Sequence, residues 1–137
     1  MRKLGLCLCV SVALVAIPSA AAVSPTVRLT IIHVLRGCHV WGTADSRPLG
    51  ASRTVQLRRG GRIEIRVNCP MSFDVTQLAG PKLELGGSRW EPGTAHTLVF
   101  SKAGLYRLKA VNVQTPEERG LETIGPVNVP VLTVRVR

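Results

Sequence analysis

Alternation of apolar and charged residues with a period of two constrains this chain more than any other feature. In Arg62-Ile63-Glu64-Ile65-Arg66-Val67 every second residue is apolar and the others are charged. An extended backbone, whose successive side chains point to opposite faces, satisfies that pattern; a helix would scatter it around its circumference. The same period recurs in Thr54-Val55-Gln56-Leu57-Arg58 and in Leu132-Thr133-Val134-Arg135-Val136. Val27, Leu29 and Ile31 share one face of an earlier run, with Arg28 and Thr30 on the other. Strands of this kind bury one face and wet the other, as in an antiparallel sheet packed on a second sheet.

Turn residues punctuate the strands. Arg59-Gly60-Gly61-Arg62 joins two alternating runs at hairpin distance. Ala79-Gly80-Pro81, Gly86-Gly87-Ser88 and Glu91-Pro92-Gly93-Thr94 break the middle of the chain. Ser101-Lys102-Ala103-Gly104 separates two further strands. Residues 116–120 have room for one helical turn at most, and no repeat, low-complexity tract or linker interrupts the pattern. The expectation is one all-β sandwich of about seven to eight strands.

The first residues have the order of an export signal. Arg2 and Lys3 precede an uncharged apolar run from Leu4 to Ile17, then Pro18 and the small residues Ser19 to Ala22. The run is shorter than the ~20 apolar residues of a membrane span. Residues 1–22 are therefore expected to be a signal peptide and residues 23–137 one domain. That domain is secreted, periplasmic or extracellular, with no transmembrane segment after cleavage. Its length of about 115 residues suffices for one core.

The chain is basic, with a net charge of +10, and removing Arg2 and Lys3 with the signal lowers this by two to +8. An excess of arginine fits an anionic partner, such as a cell-envelope polymer, a membrane surface or an acidic protein. Arg58, Arg59, Arg62 and Arg66 form the densest candidate face. A merely solvated surface is the plainer alternative, because the arginines are spread over most strands. Nucleic acid is excluded as a partner. Export separates the protein from it, and aromatic residues for base stacking make up only 4% of the chain.

Cys38 and Cys69 alone survive processing. In an oxidising compartment two cysteines are expected to form a disulfide. Closing a loop of that length would stabilise the fold by roughly 3–4 kcal/mol.

Several segments resemble one family. The run Leu98-Val99-Phe100-Ser101-Lys102-Ala103-Gly104-Leu105-Tyr106-Arg107-Leu108 is similar to the penultimate hairpin of cupredoxins, small Greek-key sandwiches that include plastocyanin and azurin. Thr123-Ile124-Gly125-Pro126-Val127-Asn128 and Arg36-Gly37-Cys38-His39-Val40-Trp41 resemble segments of secreted bacterial cupredoxin-like proteins, and Thr54 to Asn68 resembles the family's central hairpin. The resemblance covers most of residues 27–136. An immunoglobulin-like sandwich is the rival, but it places its Trp well after the first Cys, whereas Trp41 follows Cys38 at once.

The resemblance implies a blue-copper centre of two His, one Cys thiolate and a weak axial ligand such as Met. The ligands would follow Leu108, yet Val111 to Leu121 contains no Cys, His or Met. The upstream histidine would stand shortly after Asn68, where the alignment places Phe73, whose phenyl ring cannot ligate a metal. The expectation is a cupredoxin-like domain without this centre, and with no cofactor. An alternative is a soft copper(I) site made of Cys38, His39, Cys69 and Met71, with both thiols reduced. His33 and His96 are in phase with apolar neighbours and read as structural. No nucleophile elbow, phosphate loop or triad spacing is present, so a non-enzymatic binding or accessory role is expected.

Overall fold

The computed structural model describes residues 25–34, 38–113 and 129–137, and of Cys38 the backbone alone. Ten strands and no helix are found among the described residues. They are β1 (Thr26–Val34), β2 (Cys38–Gly42), β3 (Pro48–Gly50), β4 (Ser52–Leu57), β5 (Gly61–Asn68), β6 (Phe73–Ala79), β7 (Arg89–Trp90), β8 (Ala95–Phe100), β9 (Gly104–Asn112) and β10 (Val131–Val136). The count exceeds the expected seven or eight because β3 and β7 are short edge pieces whose two or three residues carry no readable alternation. The expected signal peptide and the 116–120 turn lie outside the described residues.

Two five-stranded sheets face each other, ordered β3-β2-β1-β5-β8 and β4-β10-β9-β6-β7. The alternation did its work: β5 reads buried at Gly61, Ile63, Ile65 and Val67 and wetter at the residues between. Each sheet is mixed rather than purely antiparallel, because β1 runs parallel to β5 and β10 runs parallel to β4. The Gly60-Gly61 turn is accordingly not a hairpin. It carries the chain from the second sheet to the first, and β4 and β5 never pair. Alternation fixes which face a strand buries but is silent on which sheet holds it. The turn at Lys102 makes the same crossing between β8 and β9. There the Tyr106 hydroxyl donates to the Lys102 carbonyl at 2.7 Å, and its ring meets Phe100 edge-on at 5.0 Å.

Aromatic side chains fill the space between the sheets: Trp41, Phe73, Trp90, Phe100 and Tyr106 are all fully buried. The connection after β6 is braced by one side chain. Gln77 Nε2 donates to the carbonyls of Ala79, Gly80 and Pro81, and its Oε1 accepts from the Leu83 amide at 3.0 Å.

Candidate functional site

The sequence candidates gather at one end of the sandwich. His33 and His39 are direct cross-strand partners of β1 and β2, so both side chains leave the same face. His33 sits at the exposed rim. His39 is wholly buried, its ring edge-on to His33 at 5.3 Å and to Phe73 at 5.1 Å. Phe73 opens β6 on the opposite sheet and pairs with Asn112, so its ring closes the space between the sheets at this end. The Oδ1 atom of Asn112 and, deeper in, the indole N–H of Trp41 are buried without a hydrogen-bond partner. Each such group costs about 1–3 kcal/mol. Neither was singled out from the sequence, where nothing distinguishes a wet strand end from a dry one.

Cys69 and Met71 lie in the connection between β5 and β6, half-buried against the core. The Cys69 thiol donates to the Met71 carbonyl at 3.7 Å. Burial pushes the thiol above its ordinary range, which disfavours the thiolate that a metal requires. Cys69 is a free thiol, and the side chain of Cys38, the other half of the expected disulfide, lies outside the described residues. Cys38 pairs with Val34 on one side of β1, while β5, which leads into Cys69, lies along the other side. Among the described residues no three His, Cys, Asp or Glu side chains are grouped to hold a metal ion.

The place aligned with the family's upstream histidine holds the fully buried ring of Phe73, packed against His39. The connection from β9 to β10 contributes no Cys, His or Met from its sequence.

His96 plays a structural part. Its ring stacks on buried Trp90 with centroids 4.4 Å apart and planes 9° from parallel, tying β8 of one sheet to β7 of the other. Thr94 Oγ1 lies 2.9 Å from His96 Nε2. Burial lowers this imidazole below its usual 6.5. The folded state therefore binds protons less readily than the unfolded chain, and the contribution is complete above about pH 6.5 and lost as pH falls below it. The urea midpoint is expected to drop on acidification from pH 7 to about 5, and His96→Phe is expected to flatten part of that slope. An unchanged slope in the variant would remove His96 from this role.

Of the four arginines expected to make one face, Arg62 and Arg66 stand on the outer face of β5, where Glu64 pairs with Arg28 at 3.7 Å. Arg58 and Arg59 lie in the crossing from β4 to β5. Arg58 and Arg137 flank a cleft of about 650 Å³ floored by Val27, Leu57 and Gly61.

No family model matches the chain, and no curated protein matches it. Solved structures with a similar backbone path include a purple cupredoxin from Nitrosopumilus maritimus, with TM-score 0.46 and 12% identity over 79% of this chain and 98% of that one. A reduced amicyanin variant gives TM-score 0.43 and 15% identity over 82% of each chain. A cysteine protease inhibitor from Entamoeba histolytica gives 0.44 and 14% over 82% and 95%. Two of these three neighbours are cupredoxins, each at a TM-score below 0.5.

Proposed function

We propose that this chain is an exported, non-enzymatic binding or accessory domain of cupredoxin-like fold that has no type 1 copper centre and works through an anionic partner in the cell envelope. Residues 1–22 are its signal peptide. The observation that supports the reading is Phe73, whose fully buried ring carries no donor atom and stands at the sequence position that the resemblance gives to a ligand histidine. The basic composition supports the choice of partner.

A second reading, a copper(I) carrier or scavenger using Cys38, His39, Cys69 and Met71, is favoured by the free thiol of Cys69. Titrating the exported protein with copper(II) and then copper(I) tests both. The expected result is no intense visible thiolate-to-copper absorption and no stoichiometric copper(I) uptake. A strong visible band would overturn the first reading. Copper(I) uptake that is lost in Cys69→Ser would establish the second.

A further inference from the structure

We propose that the outward face of the second sheet docks on an anionic lipid bilayer. The inference deepens the reading of an exported domain with an anionic partner, and it names a surface that the sequence did not single out. Tyr106, Leu108 and Ala110 of β9 point into the core, so Leu105, Arg107, Lys109 and Val111 line its outer face. On β10 the buried residues are Leu132, Val134 and Val136, which puts Thr133 and Arg135 outside. The register sets Thr133 opposite Arg107 and Arg135 opposite Leu105. Arg107 therefore stands about 7 Å along β9 from Lys109 and diagonally about 7–8 Å from Arg135, with Lys109 and Arg135 roughly 14 Å apart at the two ends of one patch.

Two properties distinguish this patch. It is almost free of acid: among the described residues the one carboxylate on the face is Asp74, and Arg89 holds it at 3.1 Å. The first sheet instead interleaves Glu64 among its arginines. The cations are also mixed with three exposed apolar side chains, where the first sheet sets one, Val99, opposite Arg62. Leu78 stands at the β6 bulge beside the residue paired with Arg107, and Leu78, Leu105 and Val111 are 46%, 50% and 36% exposed. A soluble polyanion would pair with the charges and leave the leucines in water. A bilayer interface takes both, attracting the cations through its surface potential and the leucines into the headgroup boundary.

The test is sedimentation of the exported protein with phosphatidylcholine vesicles, with and without phosphatidylglycerol. Binding is expected only with the anionic lipid. Removing one basic residue near such a surface weakens partition about fivefold, so the combined change Arg107→Gln, Lys109→Gln and Arg135→Gln is expected to weaken it on the order of 100-fold. The matched set Arg28→Gln, Arg62→Gln and Arg66→Gln on the other sheet is expected to weaken it less than about fivefold. Leu78→Ser with Leu105→Ser is expected to abolish the binding that survives in high salt. Thermal melts matching the wild type show that the variants are folded. Equal losses from the two arginine sets would overturn the proposal, since bulk charge would then suffice. Polyglutamate binding as tight as vesicle binding and indifferent to the leucines would also overturn it, while leaving an anionic partner in place. Failure to bind either probe would overturn both.

Discussion

Replacing Trp90 with alanine is expected to lower the unfolding free energy by roughly 3–5 kcal/mol, the range for emptying a large aromatic site. The site is fully buried, although β7 has only two residues. Two contacts depend on the ring and a third on the backbone. Its indole N–H donates to the Leu85 carbonyl at 3.1 Å, holding the connection ahead of β7. Its face stacks on His96, and its backbone pairs with Phe73. Against a total stability of about 5–15 kcal/mol, a loss of this size removes much of the margin. Trp90→Phe keeps a ring against His96 and removes the N–H donor, so it is expected to cost much less. Urea unfolding of the three proteins measures the difference. A Trp90→Ala loss below about 1 kcal/mol would show that the two sheet edges are held together by something other than this ring.

Gly80→Ala is expected to destabilise the fold by roughly 2–5 kcal/mol, combining backbone strain with overpacking. Gly80 has φ +101°, and a Cβ there would stand 2.7 Å from the Leu105 carbonyl oxygen and 2.9 Å from the Tyr106 Cα. Both obstacles are backbone of β9, which is paired on each side and cannot retreat. Gly60 provides the comparison. Its φ is +76°, but a Cβ there meets nothing within 4 Å. Gly60→Ala is expected to cost only about 1–2 kcal/mol, the strain of a left-handed residue. Chemical denaturation of the pair separates steric contact from conformational strain. Equal losses at the two sites would mean that β9 yields to the added methyl group.

Much of this architecture was legible because burial writes itself into period two. Ile63, Ile65 and Val67 were readable as core, and the turns at Gly60, Gly80, Gly93 and Gly104 fall where glycine marks the sequence. What alternation cannot encode is the partner of a strand. The turn at Gly60-Gly61 therefore reads as a hairpin, whereas it crosses between the sheets. At the candidate site, the expectation that Phe73 stands at a ligand position rests on a resemblance of sequence. The His33–His39–Phe73 ring contacts were not, because they join three strands. The cationic face of the second sheet was likewise hidden. Arg107, Lys109 and Arg135 look like isolated bases until β9 and β10 pair.

The parallel pairing of β10 with β4 also governs when the molecule can become itself. In its sheet β4 has β10 as its one neighbour, and the two segments lie about eighty residues apart in the chain. Such distant pairings slow folding, since the loop between them must close before any contact rewards it. A chain emerging gradually from a narrow opening holds β4 unpaired until nearly everything else has passed. The pairing of β10 with β4 is thus the latest long-range contact open to a chain made from its amino end.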